Sequence, residues 1–167
     1  MAKPSFERIE PGPGQESVWD YPRPPRLEPT DRRIRVIHAG HTIADSTSAY
    51  RVLETSHPPN YYIPPADVDT SVIHKVGGVT ACEWKGTATY YDVVLPDQRI
   101  SRALWTYDNP TPAFAPIAGC FCFYPAAFDA CYVDEEQARP QSGTFYGGWI
   151  TSDIVGPYKG SAGTMLW

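Results

Sequence analysis

The chain has 167 residues, of which 42% are apolar, and it carries a net charge of −5 at neutral pH. A chain of this length suits one domain with its own core. Its basic residues form no row that could follow a phosphate backbone, and no apolar run approaches the ~20 residues that span a bilayer. We therefore expect no nucleic-acid partner and no membrane contact.

Secretion is also disfavoured, because Met1 to Asp20 lack the apolar stretch of a signal peptide. This pattern indicates a cytoplasmic protein, in which cysteines stay reduced. The oligomeric state stays open, with a homo-oligomer among the alternatives. The residues expected as free thiols are Cys82, Cys120, Cys122 and Cys131.

Proline and aromatic residues are both frequent, with 18 prolines and 13% aromatic residues. Prolines interrupt helices and central strands alike, so the composition predicts a mainly β fold of many short elements. Residues 1–30 are rich in proline, and we interpret them as an N-terminal arm without a helix or a paired strand. Within this arm, Val18, Trp19 and Tyr21 form an apolar group suited to docking on the domain, residues 31–167.

The alternation of polar and apolar residues over Arg33–Val36 predicts the first strand of the domain. Gly40 supplies a turn, and Thr42–Asp45 returns as the second strand of a hairpin. Pro64 and Pro65 begin a turn or a single helical turn, since proline suits a first helical position. Other strands are predicted at Tyr50–Glu54, Tyr61–Ile63, Thr87–Leu95, Ser101–Tyr107, Cys120–Tyr124 and Ala130–Val133.

No stretch has the sustained 3.6-residue apolar period of a long amphipathic helix. Residues 143–167 form a glycine-rich C-terminal tail. We interpret His38, His41 and His74 as loop or turn residues. These patterns predict a compact single domain of short antiparallel strands.

The chain lacks the usual signatures of cofactor and nucleotide sites. It has no phosphate-binding loop, no Gly-x-Ser-x-Gly elbow and no Cys-x-x-Cys pair, so we expect no cofactor. Cys120 and Cys122 share one face of a strand, and Cys131 could lie on a neighbouring strand. These thiols form either a metal or redox cluster or three small buried apolar side chains. We favour the second interpretation and expect no metal site.

The segment Cys82-Glu83-Trp84-Lys85-Gly86 leads into the clearest strand of the chain. If the Lys85 ammonium is removed from water, its pKa falls and the amine becomes a catalytic base or nucleophile. Alternatively, Lys85 pairs with a carboxylate or stacks on an aromatic face. Cys82 is a nucleophile if a base lies nearby, or a buried inert thiol, which is the more common case.

Glu54 continues the face of its strand that Tyr50 and Val52 define, so its carboxylate can point inward. A buried carboxylate needs a partner, which Lys85 or a tyrosine hydroxyl can supply. The alternative is that Glu54 ends its strand in contact with water. His57 lies in the turn that follows and is more typical of a capped loop residue than of a base.

Tyrosine and tryptophan combine an apolar ring with one polar group, and this combination lines small-molecule pockets. Ordinary core packing is the alternative for these residues. The residues that we expect to contact a ligand are Tyr62, Trp84, Tyr90, Trp105 and Tyr107.

Three functions are compatible with these residues. The first is binding of a small molecule in an aromatic-lined pocket, with Glu54 and Lys85 as polar contacts. The second is an enzyme of small-molecule metabolism that uses Lys85 and Glu54 as an acid–base pair, with Cys82 as a further catalytic candidate. The third is a protein-interaction scaffold that uses the proline-rich arm. We favour the first two over the third and leave them unranked.

Several motifs together carry a family resemblance over roughly residues 33–135. They are Leu53-Glu54-Thr55, Tyr62-Ile63-Pro64, Cys82-Glu83-Trp84-Lys85-Gly86-Thr87-Ala88, Ala103-Leu104-Trp105-Thr106-Tyr107 and Phe123-Tyr124-Pro125. These motifs resemble a bacterial and fungal family, the domain of unknown function 427. The chain departs from the family at Glu83, where proline is usual.

The resemblance implies a compact fold similar to the β-tent, in which small sheets meet at an angle. Other β-tents include the drug-binding domain of cereblon and type B methionine sulfoxide reductases, and many of those bind zinc through paired cysteines. This chain lacks such pairs, so we do not carry the zinc site over. A nucleotidyltransferase label is sometimes attached to the family, but the chain has no phosphate cradle and no paired metal-binding aspartates.

Overall fold

Strands are the main regular element of the fold, and turns or prolines separate them. The computed structural model describes residues 7–143, 145–161, 163–164 and 166–167. The strands within these residues are β1 (Glu16–Ser17), β2 (Arg26–Pro29), β3 (Ile34–His38), β4 (His41–Ser46), β5 (Tyr50–Leu53), β6 (Asn60–Tyr62), β7 (Ile73–Cys82), β8 (Gly86–Leu95), β9 (Gln98–Thr106), β10 (Phe121–Phe123), β11 (Ala130–Val133), β12 (Glu136–Gln137), β13 (Arg139–Pro140), β14 (Trp149–Ile150) and β15 (Ile154–Val155). The prediction of a mainly β domain with small antiparallel sheets is therefore confirmed.

The helices of the described residues are all short 3₁₀ helices, as expected for a chain rich in proline. They are Val18–Asp20, Pro65–Asp67, Thr70–Val72, Pro112–Ile117 and Pro125–Ala127. None of them has the length and apolar character that a helix needs to cross a bilayer. Residues 1–6 of the expected arm and residues 144, 162 and 165 of the expected tail lie outside the described residues.

An antiparallel sheet in the order β10-β9-β8-β7 separates two core clusters. Successive side chains of a strand point to opposite faces of the sheet. Leu104 therefore packs in one cluster with Ile34 and Trp149, whereas the adjacent Trp105 packs in a second, aromatic-rich cluster with Tyr90. We call this second group the aromatic cluster, and its largest members are Tyr62, Tyr90, Trp105, Tyr107 and Phe114.

Strand β7 was not predicted, although it is as long as β8. It is the edge strand of its sheet, and most of its residues are exposed. A register shift between Val76 and Val79 also interrupts its pairing with β8. An edge strand without a buried face has no two-residue apolar period, so the pattern gave no signal. The interpretation of His74 as a loop residue was wrong, because His74 pairs with Asp92 in this ladder.

A second four-stranded sheet, in the order β12-β11-β3-β4, contains the predicted hairpin. Its turn is Ala39-Gly40, and both residues have a positive φ, as this kind of two-residue hairpin turn requires. His38 and His41 pair directly across the turn. Both histidines therefore belong to strands, and their assignment to a loop was wrong.

The third sheet, in the order β2-β5-β6, is joined to the first by a backbone bridge. The N–H groups of Ile63 and Phe121 each donate to the carbonyl of the other residue at 2.8 Å. This bridge holds β6 beside β10 and brings the end of β5 towards the aromatic cluster. Glu54, the residue after β5, is positioned in this way.

The N-terminal residues are built into the fold, which corrects the expectation of an arm without paired strands. Strand β1 pairs in parallel with β15, and β2 pairs with β5. The prolines do not prevent this pairing, because β1 contains none and β2 contains only Pro29 at its end. Val18 and Tyr21 are buried against Leu53 and Ile154, so the apolar group docks on the domain as expected.

We expect Leu53→Ala to reduce the free energy of unfolding by about 2–5 kcal/mol, because it opens a cavity beneath the docked N-terminal residues. Urea denaturation measures the effect. The matched control is Ile9→Ala, since Ile9 is 51% exposed and its truncation should change stability by less than about 0.5 kcal/mol. Equal effects of the two substitutions would contradict the docking.

Candidate functional site

A cavity of about 220 Å³ opens beside the aromatic cluster. Its lining comes from the end of β5, the turn after it, the β7–β8 hairpin, β9 and the segment after β13. Seven of the residues proposed from the sequence meet there. They are Glu54, Cys82, Trp84, Lys85, Tyr90, Trp105 and Tyr107.

The β7–β8 hairpin presents Trp84 and Lys85 to the cavity. Cys82 pairs with Gly86, so a tight turn of three residues separates the strands. Gly86 has a φ of +113°, a conformation that favours glycine. Thr111 fastens the turn from outside, since its hydroxyl donates to the Trp84 carbonyl at 2.6 Å and its N–H donates to the Lys85 carbonyl at 3.0 Å.

Lys85 is buried, with only 7% of its surface exposed. Among the described residues, no carboxylate oxygen lies within the 4.0 Å of an ion pair from its Nζ. The ammonium instead lies 5.7 Å from the centre of the Tyr107 ring, within the range of a cation–π contact. The Nζ of Lys85 is not one of the enclosed polar atoms, so the ammonium opens to the cavity without a close counter-charge, which is an unfavourable arrangement.

Glu54 faces inward from the end of β5, as the strand pattern indicated, but it does not form a close pair with Lys85. Its Oε2 lies 3.4 Å from His57 Nε2 and 3.7 Å from Arg23 Nε. Burial acts to raise the pKa of Glu54, but the interaction with His57 and the charges of Lys85 and Arg23 outweigh it. The pKa therefore lies below its ordinary value of 4.5, and Glu54 is a carboxylate at neutral pH.

A hydrogen-bond network orients the ring of His57. Gln141 Oε1 accepts from the Gly148 N–H at 3.1 Å, which orients the amide so that its Nε2 donates. One Nε2 hydrogen goes to the Lys159 carbonyl and the other to His57 Nδ1 at 3.1 Å. In this orientation His57 Nδ1 is the acceptor, and His57 Nε2 faces Glu54.

The aromatic walls come from alternate residues of neighbouring strands. Tyr90 pairs opposite Trp105 in the ladder, and Tyr107 follows on the same side. Tyr62 is placed differently from the expectation, because it lies behind the wall and outside the lining. Its ring is fully buried, and its hydroxyl accepts a hydrogen bond from Trp105 Nε1 at 3.2 Å. Tyr62 therefore positions Trp105 rather than contacting the cavity.

The cysteines are free thiols in different environments. Cys82 is half-buried in the cavity lining, next to Tyr107. Cys120 and Cys122 belong to the aromatic cluster, whereas Cys131 lies in the other core cluster. Burial raises the pKa of the Cys120, Cys122 and Cys131 thiols. They are small buried side chains, and the described residues contain no group of three ligands suited to a metal ion.

Sequence reasoning missed the part of the site that comes from the C-terminal segment. Tyr146, Gly147 and Lys159 line the cavity, and Tyr146 packs against the His57 ring at a centroid distance of 4.8 Å. No local pattern predicts these contacts, since more than 80 residues separate His57 from Gln141. The local signal was Tyr146 itself, since tyrosine is typical of small-molecule pockets.

Asn60 is a further lining residue that the sequence did not single out. It begins β6, and its Oδ1 is enclosed without a hydrogen-bond partner among the described residues. A buried acceptor without a partner is unfavourable. The corner of the cavity at Asn60 is therefore polar and incompletely satisfied.

A larger groove of about 820 Å³ lies elsewhere, beside Arg32 and Arg51. The guanidinium groups of these two arginines already have carboxylate partners. Arg51 donates to Glu16 and Glu28, and Arg32 donates to Asp153 at 2.6 Å. The aromatic cavity is the better candidate site because its buried cation lacks a close partner.

We expect Gly147→Ala to displace Trp105 and to lower the free energy of unfolding by about 1–3 kcal/mol, because a Cβ there would lie 2.5 Å from Trp105 Cη2. Tryptophan fluorescence and urea denaturation report the two effects. Gly77→Ala is the control, since its Cβ meets no described atom within 4 Å and should change neither quantity appreciably. Unchanged fluorescence in Gly147→Ala would argue against this contact.

We expect Glu54→Gln to be less stable than the unaltered protein at neutral pH. A carboxyl whose folded pKa is lowered contributes stability above its unfolded pKa of 4.5, and this contribution is lost as the pH falls through the folded pKa. The stability difference should therefore be largest above about pH 5 and should become smaller as the pH falls towards about 3. Urea denaturation at several pH values measures it.

The control for this titration is Glu135→Gln. Glu135 is 89% exposed and its nearest cation, Arg35, lies at 3.7 Å, so the pair contributes little. A Glu54→Gln stability difference that does not change with pH would show that the carboxylate charge is not responsible.

A comparison with known proteins identifies the family of the chain. Residues 26–134 match the family model described as Domain of unknown function (DUF427). Among curated proteins, none matches the chain. The matched range includes Glu54, His57 and Lys85, whereas Tyr146, Gly147 and Lys159 lie beyond it. Because the match spans well over half of the chain and agrees with the motifs noted in the sequence, the protein belongs to the DUF427 family.

Proposed function

We propose that the protein binds a small molecule in the cavity beside the aromatic cluster. The observation that carries the proposal is the buried Lys85 side chain, which lines the cavity with no carboxylate oxygen of the described residues in ion-pair contact with its ammonium. Proteins rarely bury a charge without a partner, and exceptions concentrate at binding sites and active sites. A ligand would supply the missing interaction.

The shape and lining of the cavity support a small ligand with a ring. Its volume of about 220 Å³ is below the roughly 300–1,000 Å³ of pockets for drug-sized molecules. Trp84, Tyr90, Trp105 and Tyr107 offer flat apolar faces, while Lys85 and Glu54 provide polar contacts. This combination of apolar walls and few polar groups is typical of sites that orient one small molecule.

Ligand-observed NMR with a library of small aromatic fragments tests the proposal. We expect fragments to bind the unaltered protein and to bind Trp84→Ala about tenfold more weakly, because the variant removes a stacking face. Trp84 is half-buried, so the variant should keep the fold. The matched control is Tyr132→Ala, which removes a half-buried ring that packs under Arg35 outside the cavity lining.

Two results would contradict this proposal. One is that no fragment binds the unaltered protein at millimolar concentration. The other is that Trp84→Ala and Tyr132→Ala weaken fragment binding equally, which would place the fragments elsewhere on the surface.

A second candidate function is an enzyme that uses Lys85 and Glu54 as an acid–base pair, with Cys82 as a further group. It is favoured by the arrangement around Glu54. His57 Nε2 faces the carboxylate of Glu54, and the charge of Lys85 helps to lower the pKa of that carboxylate. Proton transfer to a bound molecule requires groups held in this way. Chemical conversion of a bound fragment over time would distinguish this function from binding alone.

The scaffold function has less support. Val18 and Tyr21 are buried against the domain, so this part of the N-terminal segment is not a free peptide.

We also propose a cytoplasmic location, which agrees with the four free cysteines.

A further inference from the structure

The charges that line the cavity differ in how close their partners lie. Its lining includes two lysines, Lys85 and Lys159, and two glutamates, Glu54 and Glu83. Glu83 is exposed, where water screens its charge, whereas Lys85 is buried. The inner part of the cavity therefore contains one buried cation and one carboxylate.

The carboxylate of Glu54 is already shared with another cation. Arg23, which lies outside the lining, approaches Glu54 Oε2 at 3.7 Å, and His57 approaches the same oxygen at 3.4 Å. Lys85 is therefore left without a carboxylate in ion-pair contact among the described residues, although the whole chain carries −5. An anionic group of a ligand would supply that contact.

We propose that the ligand class of this cavity is a small planar carboxylate, with its anionic group on Lys85 Nζ and its ring against Trp84 and Tyr107. This inference rests on the proposed binding function and specifies the chemistry of the ligand. A carboxylate oxygen accepts a charge-assisted hydrogen bond from an ammonium, so the ligand compensates the buried charge. Its ring fills the apolar space between the indole and phenol walls.

A phosphate group fits this cavity less well. Phosphate sites commonly combine several donors, such as glycine-rich backbone N–H groups, a helix N-terminus or a forked arginine. In the described residues that line the cavity, Lys85 is the one buried cation, and the lining contains no arginine. A single ammonium between aromatic rings matches a monoanion.

Isothermal titration calorimetry with benzoate, benzamide and benzylamine tests this inference, because these probes share one ring and differ in charge. We expect benzoate to bind the unaltered protein about tenfold to a hundredfold more tightly than benzamide, and benzylamine to bind most weakly. In Lys85→Met, benzoate should lose this advantage while benzamide still binds. In Lys85→Arg, benzoate should keep part of it.

The matched control is Lys75→Met, which removes an exposed lysine on β7 outside the cavity lining and should leave all three affinities unchanged. Thermal denaturation verifies that each variant is folded. If Lys85→Met does not fold, the order of the three probes on the unaltered protein still tests the inference.

The outcomes separate the two proposals. If benzamide binds as tightly as benzoate, or if Lys85→Met binds benzoate unchanged, the carboxylate class is wrong while a small-molecule site remains. If none of the probes or the fragment library binds, both proposals are overturned.

Discussion

The site depends on one unfavourable arrangement, the burial of the Lys85 ammonium among aromatic rings without a carboxylate in contact. An ammonium that loses part of its hydration does so at a free-energy penalty. The Tyr107 ring at 5.7 Å and the more distant charge of Glu54 offset part of that penalty. Such a group is expected where function requires it, because packing alone would favour an apolar side chain.

The hairpin can hold Lys85 inward because its turn is fixed from both sides. Gly86 adopts the positive φ that closes the turn, and Thr111 binds the carbonyls of Trp84 and Lys85. These interactions fix the backbone of the turn, and with it the direction in which the Lys85 side chain leaves the hairpin.

The other half of the site is assembled by long-range contacts. Gln141 orients His57, and His57 in turn faces Glu54, so a residue near the C-terminal segment sets the orientation of the imidazole. Gly147 allows the backbone to pass within contact distance of Trp105. Gln141 and Gly147 lie beyond the part of the chain that matches the family model. The site therefore combines a family framework with walls supplied by the following segment.

What the sequence could determine by itself follows from local chemistry. The prolines and the two-residue alternation over Arg33–Val36 predicted short strands, and the motifs together indicated the family and seven residues of the cavity lining. The position of Glu54 on its strand made an inward-facing carboxylate one of two alternatives. These inferences succeed because backbone geometry and strand period act between neighbouring residues.

Only the tertiary structure decided the partners of those residues. Lys85 or a tyrosine hydroxyl was proposed as the partner of Glu54, yet its close partners are His57 and Arg23. For Lys85 the sequence left a carboxylate or an aromatic face open, and the fold places it beside the Tyr107 ring. Tyr62 was expected in the lining, but it lies behind Trp105. The prolines of the N-terminal segment did not reveal that β1 and β2 pair with distant strands. Pairing across many residues depends on how sheets pack together, and no local pattern of side chains contains that information.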